Sequence, residues 1–191
     1  MPAPRSWVAM WETHKRRLEE QTGEDVGTWN ARILAEAPDD EAGLRAWLDQ
    51  RGITGYPQSV LVMERFGYPD FLQASDAELI DAQYADRGHL RPILDRVLAV
   101  AAERHPDVEV VGRKGYVPLH TPRRQFAVVK PTTKRRVDLG LRLDGEEPGG
   151  RLVAAKGLAN ETINVRIPLE QAPEVDHEVV AWLDAAWERN L

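Results

Sequence analysis

Residues 115–143 read GYVPLHTPRRQFAVVKPTTKRRVDLGLRL, and the period of this stretch decides the fold. Apolar residues recur at every second position: Val117 and Leu119, then Phe126 and Val128, then Val137, Leu139, Leu141 and Leu143. A period of two marks strands with one face buried. Thr121-Pro122-Arg123 and Pro131-Thr132-Thr133-Lys134 are separators of turn length, so the three runs predict an antiparallel meander. Pro118 has no N–H for a ladder, which predicts a sheet edge or a bulge at its strand. A later run, Ile163, Val165 and Ile167, has the same period and extends the sheet.

Upstream and downstream of this stretch the period is helical. Trp7, Met10, Trp11, His14 and Leu18 predict an amphipathic helix that stops at Gly23. A second helix from Asp25 carries Val26, Trp29, Ile33 and Leu34 on one face, and a third, capped by Asp39 or Asp40, turns Leu44, Trp47 and Leu48 inward. A fourth starts at Pro57 with Val60, Leu61 and Met63. Ser75-Asp76-Ala77-Glu78 is a capping box, in which hydroxyl and carboxylate satisfy amide hydrogens at a helix start. A longer helix over 90–104 buries Ile93, Leu94, Val97, Leu98 and Ala101, and Pro173 to Asn190 returns to helix through Val179, Trp182, Leu183, Ala186 and Trp187. The expected fold class is therefore α+β: an N-terminal helical domain over 1–70, then a domain over 71–191 with an antiparallel sheet flanked by helices.

Composition narrows the chemistry. Of 191 residues none is cysteine, which excludes disulfides, thiolate metal sites and cysteine nucleophiles. No apolar run approaches the ~18 residues of a membrane span, and Met1 to Ser6 leads into charged residues without a signal core, so a cytoplasmic protein is expected. The net charge of -6 conceals a segregation. Residues 108–143 carry nine basic side chains against Glu109 and Asp138, whereas residues 1–107 carry 12 basic against 19 acidic and residues 144–191 carry four against ten. Such an island attracts phosphate or pairs with its acidic flanks within the fold.

Catalytic and cofactor signatures are absent from the sequence. There is no Gly-x-Gly-x-x-Gly and no phosphate-loop pattern. The five histidines lie far apart without zincin spacing, so no metal and no cofactor are expected. The three serines, Ser6, Ser59 and Ser75, lie outside any Gly-x-Ser-x-Gly elbow. No catalytic constellation can be named, and a non-enzymatic protein is expected.

Several motifs have a familiar form. Lys114-Gly115-Tyr116-Val117-Pro118-Leu119, Arg124-Gln125-Phe126-Ala127-Val128-Val129-Lys130-Pro131 and Lys134-Arg135-Arg136-Val137-Asp138-Leu139-Gly140-Leu141 resemble the strand motifs of a bacterial domain-of-unknown-function family. Leu90-Arg91-Pro92-Ile93 and the segment from Glu174 to Leu183 extend the resemblance over roughly residues 72–190. Leu18-Glu19-Glu20-Gln21-Thr22-Gly23, Trp29 and Ala46-Trp47-Leu48 resemble a second, helical family of unknown function often fused ahead of the first. The resemblance implies an uncharacterised two-domain bacterial protein and brings no catalytic residues. Some relatives are labelled predicted transport proteins, but this chain has no spanning segment. Members often carry His in the last strand where this chain has Asn164.

The candidate site comes from parity. If Val137, Leu139, Leu141 and Leu143 face the core, then Arg136, Asp138, Gly140 and Arg142 face the other way, and Asn164 and Arg166 follow by the same rule. Paired strands would bring Arg136, Asp138, Arg142, Asn164 and Arg166 onto one polar face. Forked guanidinium contacts there would hold a carboxylate or phosphate, with Asp138 orienting one arginine. The alternative is an Arg–Asp ladder across a solvated face. The six tryptophans allow an aromatic-lined cleft or plain core packing. The expected function is a non-catalytic binding module for a small anionic or aromatic ligand. The alternative is nucleic-acid binding through the basic strand meander 113–142, against which the overall acidity, with a pI ≈ 5.4, weighs.

Overall fold

A computed structural model describes residues 7–191, with side chains from Trp11 onward. Trp7 and Met10, which the helical spacing placed on the face of the first helix, therefore lie outside the described side chains. The chain divides into two compact units between Gln73 and Ala74.

The first unit is helical: α1 (Trp7–Thr22), α2 (Val26–Glu36), α3 (Glu41–Asp49), α4 (Gly55–Phe66) and the single turn α5 (Asp70–Gln73). Its core joins Leu18, Trp29, Ile33, Leu44, Leu48, Ile53, Leu61 and Val62. The cap carboxylates Asp25 and Asp40 accept from the backbone N–H of Thr28 and Gly43, which sets where α2 and α3 begin. Leu34, expected on the buried face of α2, is instead 69% exposed. It follows Ile33 by one position, a rotation of about 100° that carries it off the apolar stripe.

The second unit is α+β: α6 (Asp76–Tyr84), α7 (Arg91–Arg104), β1 (Glu109–Val110), β2 (Val117–His120), β3 (Gln125–Lys130), β4 (Val137–Leu141), β5 (Val153–Ala154), β6 (Val165–Leu169) and α8 (His177–Glu188). The strands form one antiparallel sheet in the order β1-β2-β3-β4-β6-β5. Ile93, Leu94, Val97 and Ala101 of α7 and Val179, Leu183, Ala186 and Trp187 of α8 pack on its inner face against Val117, Leu119, Val129, Val137, Leu139, Leu141, Val165, Ile167 and Leu169. The capping box forms as read, with Ser75 and Glu78 exchanging bonds at the start of α6.

Two strands break the simple alternation. Leu119 pairs with Ala127 but His120 pairs with Gln125, so Phe126 is an extra residue at a bulge. The bulge resets parity, so Phe126, Ala127 and Val129 join the inner core while Val128 turns to the outer face. Ile163 also leaves the expected set, because the regular strand begins only at Val165 and Ile163 packs outside. Pro118 sits one strand in from the edge. Its carbonyl accepts from Val111 N–H beyond the end of the two-residue β1, so its missing donor faces a place where the ladder has already stopped.

Candidate functional site on the outer face of the sheet

The outer face is built from the residues that alternate with the core. Strand register sets Val128 beside Gly140 and Gly140 beside Arg166, and in the next row Lys130 beside Asp138 and Asp138 beside Pro168. Part of this face is roofed by residues 155–163, whose Ala155, Leu158 and Ile163 form a small apolar cluster with Val128. Gly140 makes the roof possible. A Cβ there would lie 2.5 Å from a Leu158 methyl and 2.7 Å from Ile163 and Val128 methyls, inside van der Waals contact.

Asp138 lies at the edge of that roof with 0% of its surface exposed. A carboxylate in such a position must be compensated by charge and hydrogen bonds. Arg166 Nη1 donates to Oδ2 at 3.1 Å, Thr132 Oγ1 donates to the same oxygen, and Arg136 Nε stands 3.2 Å from Oδ1 as an ion pair rather than a hydrogen bond. Lys130, directly across on β3, donates through Nζ to the Leu158 carbonyl at 2.7 Å and ties the roof to the sheet. Two arginines therefore meet one buried carboxylate, with Lys130 opposite on the neighbouring strand. The side chains of Arg136 and Arg166 keep 31% and 23% of their surface exposed, so the contact with Asp138 does not enclose either one fully, although Arg166 Nε is buried without a hydrogen-bond partner.

Of the five residues that parity grouped, Arg136, Asp138 and Arg166 come together and two do not. Arg142 follows Arg136 by six residues, a separation of ~20 Å along extended chain, and pairs with the exposed Asp144 at 3.4 Å. Asn164 is used by the backbone. Its Oδ1 accepts from Leu143 N–H and its Nδ2 donates to the Leu143 carbonyl, both at 2.8 Å, so the side chain extends the β4–β6 ladder by one pair.

Lys130 and Thr132 are members that sequence reasoning missed. Centring the turn on residue 134 pairs residue 130 with residue 138, so the signal was present in the turn length. The roof left no such trace, because residues 155–163 carry no period.

A family model described as Domain of unknown function (DUF5655) matches residues 80–190. The chain belongs to that family. The matched residues take in α7, every strand and α8, so the Asp138 cluster lies wholly within the DUF5655 domain. No curated protein and no solved structure matches the chain.

The rest of the DUF5655 unit uses its polar groups to pin helices. Arg104 at the end of α7 and His105 just after it meet Asp184 of α8 at 2.6 and 3.0 Å, and His105 stacks on Trp187, which packs edge-to-face with Phe126. In the first unit Trp29 meets Trp47 edge-on and Trp11 donates to the Tyr68 hydroxyl. These rings are engaged in packing. No helix among the described residues is long and apolar enough to cross a membrane.

Proposed function

We propose that the DUF5655 domain is a non-catalytic binding module that holds an anionic ligand on Arg136 and Arg166, organised from within by Asp138. The observation that carries this reading is the buried carboxylate shared by two partly exposed arginines, with a lysine opposite on the neighbouring strand. Holding both guanidinium groups in one orientation beforehand removes much of the ordering cost of binding an anion. A forked guanidinium offers donors on more than one edge, so the edge turned from Asp138 stays available for phosphate or carboxylate oxygens. Arg142 and Asn164 stabilise the far end of β4 in this scheme and do not touch the ligand.

Thermal melting of the full chain with and without inorganic phosphate tests it. Phosphate is expected to raise the melting temperature, and Arg166→Ala to remove most of that rise. Losing one charge-assisted contact costs about 1.5–3 kcal/mol, roughly a ten- to hundredfold weakening. Arg142→Ala is expected to leave the rise intact. A rise that survives Arg166→Ala, or no rise at any phosphate concentration, contradicts the reading.

A further inference from the structure

The basic residues outside the Asp138 cluster are not scattered. Val117 pairs with Val129 and Lys130 with Asp138, so the loop entering β2 and the loop joining β3 to β4 emerge side by side at one end of the sheet. The first loop, closed by Arg113 N–H donating to the Tyr116 carbonyl, carries exposed Arg113 and Lys114. The second carries exposed Lys134 and Arg135. The second loop lies between one and two strand spacings from the first, about 5–10 Å.

Like charges on adjacent loops repel, yet both loops are held in place by side chains of α6 and of the segment that follows it. Gln83 of α6 donates through Nε2 to the Arg113 carbonyl at 2.7 Å and the Tyr116 carbonyl at 3.4 Å. Arg87, three residues beyond the end of α6, donates through Nη1 to the Pro131 carbonyl at 3.0 Å and the Thr133 carbonyl at 3.2 Å. Asp76 at the start of the same helix accepts from Gly112 N–H at 2.9 Å. Between the loops lies a cleft of about 410 Å³ whose lining includes Gln83, Arg87, Lys114, Gly115 and Pro131. The acidic group in it, Asp86, is met by Arg87 at 2.7 Å and Lys134 at 3.6 Å. These side-chain hydrogen bonds tie both cationic loops to the α6 segment, with a cleft between them.

We propose that this end of the sheet binds the phosphodiester backbone of a nucleic acid strand without reading its bases. The proposal extends the anion-binding reading, because Arg136 closes the second loop and belongs to both surfaces. A strand carries one negative charge per nucleotide, so basic residues on two neighbouring loops can each meet a different phosphate of one backbone. Stacking on bases is not provided for: Tyr116, the ring beside the first loop, packs against the apolar cluster of Val128, Ala155, Leu158 and Ile163.

The test is fluorescence anisotropy of a labelled oligo(dT) strand with the full chain. About four phosphate contacts predict a roughly 50-fold loss of affinity between about 50 and about 200 mM salt, and a strand of mixed sequence should bind equally. Reversing three loop charges together, Lys114→Glu, Lys134→Glu and Arg135→Glu, should weaken binding more than tenfold. The same number of reversals elsewhere, Arg16→Glu, Arg17→Glu and Lys156→Glu, should not. Absence of binding at low salt, equal binding by the loop variant, or retention on phosphatidylserine vesicles without retention of the oligonucleotide overturns the proposal. Arg166→Ala separates the two readings, since loss of the phosphate-induced melting shift concerns the Asp138 cluster and unchanged oligonucleotide binding would leave the loop surface standing.

Discussion

Asp138 is a charged residue in the middle of a strand, with Val137 and Leu139 on either side in the core, and its position explains what the sequence could and could not reveal. Alternation alone put it on the outer face with Arg136 and Arg166, and that grouping was legible because both strands are regular from Val137 and Val165 onward. Alternation also put Arg142 and Asn164 there, and it has no way to register reach along the strand or a side chain spent on backbone. Asn164 imitates a peptide group toward Leu143, an interaction that depends on three-dimensional proximity across a 21-residue gap. Gly140 was legible as a residue of the outer face, but what packs against it was not. At this scale Gly140→Ala is expected to destabilise the domain by about 1–3 kcal/mol in urea unfolding, because its methyl would need space held by Leu158, Ile163 and Val128. The backbone there has no positive φ, so the cost is steric, and Leu158→Ala in the same chain should recover part of it. Equal stability of Gly140→Ala and the parent would mean that the roof is not packed on β4.

At the scale of elements, α6 and α1 carry groups whose placement has consequences. α6 is short and weakly amphipathic, and its place follows from caps and clamps: Ser75 and Glu78 at its start, Asp76 to Gly112, and Gln83 to the loop before β2. The capping box was readable because it is local, whereas the clamps span 30 residues or more and were not. The bulge at Phe126 was hidden for a related reason, since one extra residue in β3 looks like ordinary alternation until its partner strand is known. In α1, His14 is 7% exposed, stacks on Tyr56 at 4.2 Å between ring centres, and has no hydrogen-bond partner for either ring nitrogen among the described residues. Burial lowers its pKa, and Arg17 pushes in the same direction. The folded unit thus disfavours the proton that an unfolded chain takes up near pH ~6.5. Stability from this residue is fully present above that pH and is lost as pH falls below it toward the depressed folded value. His120 in β2, lowered by burial first, with Arg113 adding and Glu109 opposing, has the same sign. Melting followed from pH 8 to pH 5 should show falling stability below about 6.5, with a shallower slope in His14→Phe. An unchanged slope would mean that His14 finds a partner when protonated.

At the scale of the molecule, net charge and charge placement point in different directions. The chain is acidic overall, and that sum argued against a polyanionic partner. The fold separates the nine cations of residues 108–143 by strand direction. Arg123 and Arg124 go to one end, where they donate to the carbonyls of Leu191 and Arg189, and Arg113, Lys114, Lys134 and Arg135 go to the other. Of the remaining three, Arg136 pairs with Asp138, where Arg166 joins it, Lys130 donates to the Leu158 carbonyl of the roof, and Arg142 pairs with Asp144. The fold class was legible because two periods, 3.6 and 2, occupy separate lengths of chain. The partition of charge was not, because it depends on which strand ends meet. The central claim is that Arg136 and Arg166 present a prearranged anion site backed by Asp138. Its most direct measurement is a titration of the ¹⁵N-labelled full chain with inorganic phosphate, following the arginine Nε–H resonances. Saturable shifts of Arg136 and Arg166, with Arg142 unmoved, are the predicted result; shifts confined to Arg142, or the same small drift in every arginine, would contradict it.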